Sequence, residues 1–224
     1  MSVSPPVSHL TLAAEKRRPR SVSEAMAIRM AHAHAEIVPA TVSDDADVEA
    51  WTNGRDVTIR IARAIVRACE AEPALNAWYD AQSQGRRLHE KIDLGLAVDT
   101  RDGLFVPVLR DVANRDPEDL RRGLDHMKSD IFARKIPSDE LRGATITLSN
   151  FGTLAGRYAA PVVVPPQVAI LSTGKIVPRV VVRDGQPVVR RIMPLSLTFD
   201  HRVVTGGEAA RFLAAAITDL EQPE

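Results

Sequence analysis

The stretch that most constrains the fold is residues 195–213, which read LSLTFDHRVVTGGEAARFL. It begins with a run of apolar and hydroxyl residues, a composition typical of a β-strand. Two consecutive glycines follow a short turn, and a segment with the composition of a helix comes after them. The stretch therefore predicts a strand, a turn and a helix in direct succession, with His201 where the strand ends.

Three further helices are predicted earlier in the chain. Ser21 and Glu24 fit a capping box, which opens a helix that ends before Pro39. A second run of apolar residues at helical spacing ends at Pro73. A third helix is predicted to open at Asp116-Pro117, because aspartate is a favourable N-cap and proline a favourable first helical residue.

Strand signals lie in the centre and in the second half. Residues 99–103 are predicted to form a turn between two apolar runs, and Asp184-Gly185 marks a second hairpin. The run ATITLSNFG predicts a strand that ends near Ser149. Since neither a repeat nor an internal linker interrupts these elements, they predict one α/β domain in which helices cover a mixed β-sheet.

Composition and charge argue against several classes of protein. Lys plus Arg and Asp plus Glu both number 29, so the formal net charge is zero. A nucleic-acid-binding or membrane-surface protein normally carries a basic excess, so we expect neither partner. Zero net charge instead favours a chain that buries surface by self-association. No apolar window approaches the roughly 18 to 20 residues that a membrane-spanning helix needs.

The single cysteine and the first residues bear on the compartment. Cys69 alone excludes an internal disulfide and an all-cysteine metal site within one chain. We therefore expect a reducing compartment, the cytoplasm or the matrix of an organelle. Residues 1–20 are rich in proline and serine and end in a basic cluster, which we interpret as a flexible arm. Residues 21–224 would then form the globular domain.

Two predicted strand ends carry groups that chemistry could use. His201 precedes a glycine-bearing turn, where a side chain is held rigidly yet stays accessible, and Asp200 and Arg202 flank it. The residues alone leave two readings open, a general base and a packed structural imidazole. Ser149, just before Asn150, usually caps a turn and gains interest only if it faces His201. No histidine pair has metal-ligand spacing with a supporting carboxylate, so no metal site is predicted.

Four stretches in the same chain carry a family resemblance. They are LNAWYD, LGLAVDTRDGLFVPVLRD, TITLSNFG with the downstream PPQVAIL, and PLSLTFDHRVV with GGEAARFL. Over about residues 21–220 the chain resembles the catalytic domain of the dihydrolipoamide acyltransferases, the E2 components of 2-oxo acid dehydrogenase complexes. That family shares its fold with chloramphenicol acetyltransferase. The resemblance implies an α/β two-layer sandwich of that type, with the active site between subunits.

The resemblance also implies a mechanism. His201 matches the histidine of the family's D-H-R motif, the general base that takes the proton from a thiol. Ser149 matches the hydroxyl residue that donates a hydrogen bond to the tetrahedral oxyanion. The implied substrates are coenzyme A and a dihydrolipoyl group, which enter from opposite ends of a channel between subunits. The residues expected to support the site are Asp200, Arg202, Thr205, Asn150 and Gly206.

The chain departs from the family in two respects. The family usually has an aspartate four residues after the histidine, in a salt bridge that holds the site together, and here that residue is Thr205. Residues 31–35, where the partner would lie, contain no arginine, so both charges are absent together, the tolerable way to lose a salt bridge. Family members also carry lipoyl and peripheral-subunit-binding domains, and neither fits before Ser21. The lipoyl group is therefore expected from another domain or chain.

Two other functions stay open beside an E2 acyltransferase. Thr205 and the missing lipoyl domain are compatible with an E2-like scaffold core of weakened activity. A small-molecule O-acetyltransferase of the chloramphenicol type would share the fold and the histidine, but the quoted stretches favour E2. The expected partners are further copies of the chain, in a trimer, 24-mer or 60-mer, a lipoyl-bearing protein, and the E1 and E3 components. An acetyl or branched-chain acyl group is favoured over succinyl.

Overall fold

The structure is a computed structural model that describes residues 22–52, 54, 56–80 and 82–223. The predicted arm, residues 1–20, and the capping Ser21 lie outside the described residues, so both stay predictions. No helix in the described ranges combines the length and apolar character needed to cross a membrane. The helices are α1 (Val22–Glu36), α2 (Val57–Ala71), α3 (Pro117–Phe132) and α4 (Gly206–Leu220).

Most strands join one mixed sheet. The strands of the first half are β1 (Pro39–Asp47), β2 (Ala77–Asp80), β3 (Gly85–Leu88), β4 (Leu94–Leu96), β5 (Val98–Thr100) and β6 (Gly103–Phe105). Those of the second half are β7 (Val108–Leu109), β8 (Ile146–Asn150), β9 (Ala169–Thr173), β10 (Val177–Arg183) and β11 (Gln186–Asp200). The sheet has the order β1-β11-β9-β8-β4-β7, with β10 paired to β11. β8 runs parallel to β4 and β9, whereas the other neighbours are antiparallel.

Local sequence signals place several elements as predicted. The carboxylate of Asp116 accepts the amide hydrogen of Asp119 at 2.8 Å, and Pro117 is the first residue of α3. Within the predicted turn of residues 99–103, Arg101 and Asp102 connect β5 and β6, which pair as an antiparallel hairpin. Asp184 and Gly185 connect β10 and β11 with φ angles of 52° and 75°, the left-handed conformation that a tight hairpin turn requires.

The hydrophobic core lies between the large sheet and the helices. α2 packs against α4, and α4 packs across β1. Ile61 and Ile65 of α2, Phe212 of α4, and Leu197 and Phe199 of β11 are almost completely buried in one continuous cluster. This arrangement confirms the predicted α/β sandwich with a mixed sheet covered by helices.

Hydroxyl groups follow one another across the centre of the sheet. Ser43, Ser196, Ser172 and Ser149 are register partners on β1, β11, β9 and β8. Because register partners project to the same face of a sheet, these residues form a single serine row. The Ser43 hydroxyl donates to the Ser196 hydroxyl at 3.0 Å, and the Ser172 hydroxyl donates to the Ser196 carbonyl at 3.1 Å. The strand register therefore places Ser149 level with Ser196 along the sheet.

Candidate active site

His201 lies directly after β11, in the turn that leads to α4. Its backbone N–H donates to the Val38 carbonyl at 2.8 Å, and its ring contacts Phe199 edge-on with centroids 5.6 Å apart. The residue is exposed, and neither ring nitrogen has a hydrogen-bond or ionic partner among the described residues. The backbone of His201 is therefore held in place, while its ring nitrogens form no hydrogen bond with the described residues. This arrangement suits a group that must exchange a proton with a substrate.

A buried ion pair flanks His201. Asp200 is completely buried, and its two carboxylate oxygens accept hydrogen bonds of 2.6 to 3.0 Å from the Arg202 guanidinium. The backbone amides of Val38 and Arg202 also donate to Asp200. The bonded carboxylate raises the pKa of Arg202 above its usual range. Since both oxygens of the Asp200 carboxylate accept hydrogen bonds from Arg202, this group holds the turn in place and is not available as a general base.

Thr205 is the N-cap of α4. Its hydroxyl accepts the amide hydrogen of Glu208 at 3.2 Å, and the Glu208 carboxylate accepts the amide hydrogen of Thr205 at 2.7 Å, which completes a capping box. Glu208 also pairs with Arg86 of β3 at 2.6 Å, and chiefly this hydrogen bond lowers the pKa of Glu208 to about 2. At the α4 end of this turn the acidic charge therefore comes from Glu208. Gly206 is the first residue of α4, and a Cβ added there would have no neighbouring atom within 4 Å.

Ser149 lies near the end of β8 and is half-buried. Its hydroxyl has no hydrogen-bond partner among the described residues. Beyond it the chain turns: the Asn150 side-chain oxygen accepts the Gly152 amide at 3.1 Å, and the Phe151 amide donates to the Thr173 carbonyl at 3.2 Å. Backbone packing thus holds Ser149 and leaves its hydroxyl free to donate.

The structure does not bring His201 and Ser149 together within one chain. β11 is antiparallel to β9, and β9 is parallel to β8. The C-terminal ends of β11 and β8 therefore point in opposite directions along the strand axis. Ser149 is level with Ser196 in the serine row, and Asp200 lies four residues further along β11, about 13 Å away at a rise of about 3.3 Å per residue. A site that contains both side chains therefore requires two chains.

The other histidines of the described residues, and Cys69, lie on other segments of the fold. His32 and His126 face solvent on helices, each beside a carboxylate one turn later. His89 packs against Trp78 with ring centroids 4.5 Å apart, and burial lowers the pKa of its imidazole. Burial likewise raises the pKa of the Cys69 thiol far above its usual range. Across the described ranges, no group of three His, Cys, Asp or Glu side chains could hold a metal ion.

Three side chains that shape the His201 turn were not identified from the sequence. They are Tyr79, whose ring lies 4.1 Å from the Arg202 guanidinium, and the ion pair of Arg86 with Glu208. Arg86 and Glu208 are 122 positions apart in the chain, so no local pattern links them. The available signals were that Tyr79 lies in LNAWYD and Glu208 in GGEAARFL, two stretches that carry the family resemblance.

Comparison with known sequences gives a consistent family. The model of the 2-oxoacid dehydrogenases acyltransferase catalytic domain matches residues 13–224. The lipoamide acyltransferase component of the Pseudomonas putida branched-chain alpha-keto acid dehydrogenase complex is 40% identical over 163 residues, 73% of this chain and 38% of that protein. The dihydrolipoyllysine-residue acetyltransferase component of the Mycobacterium bovis pyruvate dehydrogenase complex is 36% identical over 166 residues, 72% of this chain and 30% of that protein. The chain thus spans less than two fifths of the length of these relatives.

Solved structures resemble the whole described fold. The cubic core of a pyruvate dehydrogenase multienzyme complex has a TM-score of 0.85 and 26% identity over 99% of this chain and 98% of that one. The Azotobacter vinelandii dihydrolipoamide acetyltransferase gives the same values, and its structure was determined to examine the catalytic role of a serine, a histidine and an asparagine. In that protein the histidine follows the serine by 52 positions and the asparagine follows the histidine by four. Chloramphenicol acetyltransferase, at 15% identity and a TM-score of 0.53 over 86% of this chain and 94% of that one, shares the fold alone.

Proposed function

Because this chain belongs to the family of 2-oxoacid dehydrogenase acyltransferase catalytic domains, we propose that it transfers an acyl group between a dihydrolipoyl thiol and coenzyme A. The observation that carries this proposal is the exposed imidazole at the end of β11, whose ring nitrogens have no partner among the described residues. His201 follows Ser149 by 52 positions, the spacing of the histidine and serine studied in the Azotobacter vinelandii enzyme. Thr205 stands four positions after His201, where that enzyme has its asparagine.

In the proposed reaction, His201 acts as the general base. It takes the proton from the thiol of coenzyme A, and the resulting thiolate attacks the carbonyl carbon of the S-acyl dihydrolipoyl group. The Ser149 hydroxyl donates a hydrogen bond to the oxyanion of the tetrahedral intermediate. When the carbon–sulfur bond to the lipoyl sulfur breaks, the protonated His201 returns its proton to the departing thiolate, so acyl-coenzyme A and a dihydrolipoyl thiol are formed.

The site is proposed to form between two chains, with His201 from one and Ser149 from the next. This proposal rests on the two strands that carry them, whose C-terminal ends point in opposite directions, so the two side chains cannot meet within one chain. Such a contact joins two different surfaces, and contacts of this kind form a closed ring when the rotation between successive copies closes. The resemblance to a family that works as trimers makes a homotrimer, or a larger assembly of trimers, the proposed form. The zero net charge is compatible with that self-association.

Coenzyme A and a lipoyl group on another domain or chain are the proposed reaction partners. The E1 and E3 components of a 2-oxo acid dehydrogenase complex would load and reoxidise that lipoyl group. An acetyl or a branched-chain acyl group is proposed, because the relatives above serve pyruvate and branched-chain alpha-keto acid dehydrogenase complexes. The proposed compartment is reducing, in line with a single buried cysteine, Cys69.

The role of Thr205 as a helix cap supports an active enzyme over a weakened scaffold. Its hydroxyl and its amide both form hydrogen bonds with Glu208, so Thr205 stabilises the start of α4. An aspartate at position 205 would place a second carboxylate beside Glu208 Oε2, which lies 3.0 Å from the Thr205 hydroxyl. We therefore expect Thr205→Asp to lower acyl transfer, whereas a decayed enzyme would gain activity from this change.

An acyl-transfer assay with dihydrolipoamide and acetyl-coenzyme A tests the proposal. The wild type should turn over, and His201→Ala should lose about 10³-fold or more in kcat. His126→Ala is the matched control, because that imidazole is exposed on α3 and distant in sequence from the site. A wild type that is silent with both acetyl-coenzyme A and a branched-chain acyl-coenzyme A would contradict the proposed function, and a fully active His201→Ala variant would contradict the assigned base.

A further inference from the structure

The β2–β3 hairpin lies against the turn that carries His201. Tyr79 and Arg86 are direct cross-strand partners in this hairpin. Cross-strand partners project from the same face, so the two side chains reach the turn together. We call them the Tyr79–Arg86 pair.

The Tyr79–Arg86 pair contacts the two residues that follow His201. The guanidinium of Arg202 stacks over the Tyr79 ring, 4.1 Å from its centroid. The Nη1 group of Arg86 donates a hydrogen bond of 2.7 Å to the Val203 carbonyl. Consecutive residues of the turn are therefore held by partners that are themselves neighbours.

Arg86 also connects the hairpin to the start of α4. Its Nη2 group donates to Glu208 at 2.6 Å, and the other carboxylate oxygen of Glu208 accepts the amide hydrogen of Thr205 at 2.7 Å. The side chains of Arg86 and Glu208 are only 29% and 14% exposed. A planar guanidinium that bridges a carbonyl and a carboxylate restrains both groups at once.

The hairpin is itself tied to the rest of the domain. The Trp78 indole donates to the Ala144 carbonyl at 2.8 Å, next to β8, and the Tyr79 amide donates to the Pro166 carbonyl at 2.7 Å, next to β9. The Tyr79–Arg86 pair is thus a fixed support, because it is anchored on the same sheet that carries β11.

We propose that Tyr79 and Arg86 are positioning residues for His201, and this inference rests on the proposed function. The ring nitrogens of His201 have no partner among the described residues, so the backbone of its turn and the edge-on contact with Phe199 set where they point. Catalytic groups need placement to within about 0.5 Å, and a displacement of about 1 Å can cost about 10²-fold in rate. The pair supplies that restraint through Arg202, Val203 and Glu208.

Steady-state kinetics of Arg86 variants test the inference. Arg86→Met should lower kcat about 10- to 100-fold while the KM for coenzyme A changes less than about twofold, because the pair is proposed to act through the His201 turn and not through substrate binding. Arg86→Lys should lose less, since it keeps the charge but not the forked geometry. Arg67→Met is the matched control, because Arg67 forms an exposed pair with Glu70 on α2. Equal kcat values for Arg86→Met and the control would overturn the inference.

Hydrogen exchange of residues 200–206 gives a readout that needs no activity. The amides of Val203 and Val204 donate to the Asp200 carbonyl at 3.1 and 3.0 Å, so they should exchange slowly in the wild type. Arg86→Met should speed their exchange about tenfold or more, with α2 unchanged. Unchanged exchange in the turn would overturn the positioning role. A wild type that transfers no acyl group but shows the faster exchange would contradict the proposed function while the restraint on the turn stands.

Discussion

The ends of β11 and β8 each hold one side chain for the proposed reaction, but by different physical means. At the end of β11, the charged side chains of Asp200, Arg202 and Glu208 hold the turn that carries His201. At the β8 end the restraint comes from the backbone, where the chain after Ser149 packs directly on the chain after β9. A general base on an exposed turn therefore needs electrostatic support from distant elements, whereas a hydroxyl inside a sheet does not.

The two ends should also respond to different perturbations. Charge-altering substitutions and acid should affect the His201 end, since its restraints depend on ionised groups. Added side-chain volume should affect the Ser149 end, since a Cβ at Gly152 would lie 2.3 Å from the Gly174 carbonyl oxygen.

Asp200→Asn should destabilise the protein by about 3 kcal/mol, because it leaves Arg202 beside a buried amide that cannot pair with its charge. Urea unfolding at a fixed protein concentration measures the loss. The control is Asp102→Asn, which removes an exposed pair with Arg134 and should cost about 0 to 1 kcal/mol. Equal losses in the two variants would contradict a charge-dependent restraint at the His201 end.

Gly152→Ala should cost about 2 kcal/mol and lower acyl transfer, because the added Cβ must push two backbone segments apart next to Ser149. Thermal unfolding and kcat measure the two effects. Gly207→Ala is the matched control, since its Cβ would meet its nearest neighbour, Arg211, at 3.4 Å, an ordinary contact. A Gly152→Ala variant as stable and active as that control would show that the Ser149 end does not depend on close backbone approach.

Glu208→Gln should cost about 1 to 2 kcal/mol at neutral pH, and this difference should vanish in acid. The pKa of Glu208 is about 2 in the folded protein against 4.5 for the free side chain, so its stabilisation is complete above pH 4.5 and is lost as the pH falls through about 2. Unfolding free energies of wild type and variant between pH 2 and 7 check this. A difference that does not change with pH would mean that the Arg86–Glu208 charge pair does not stabilise the turn.

The elements that could be predicted from the sequence are those fixed by local chemistry. Asp116-Pro117 begins α3, Asp184-Gly185 forms the β10–β11 turn, and the strand before His201 ends where it was expected to end. Each follows from residues within a few positions of one another. The fold class follows as well, because the order of helices and strands restricts how the sheet can be covered.

The support of the His201 turn could not be predicted in this way. The β2–β3 hairpin is short and polar, so it lacks the apolar periodicity that reveals a strand. Arg86 meets Val203 and Glu208 only because the fold brings segments more than 100 positions apart into contact. The separation of His201 and Ser149 likewise depends on the parallel pairing of β8 with β9, which no residue pattern specified.

A mixture of two inactive variants shows whether the active site is shared between chains. His201→Ala and Ser149→Ala chains would be co-expressed in equal amounts, and acyl transfer of the mixed assemblies measured beside each variant alone. If one chain supplies the base and its neighbour the hydroxyl, about a quarter of the sites in a random ring contain both residues, so about a quarter of wild-type activity should return. Activity no higher than that of the single variants would contradict the shared site.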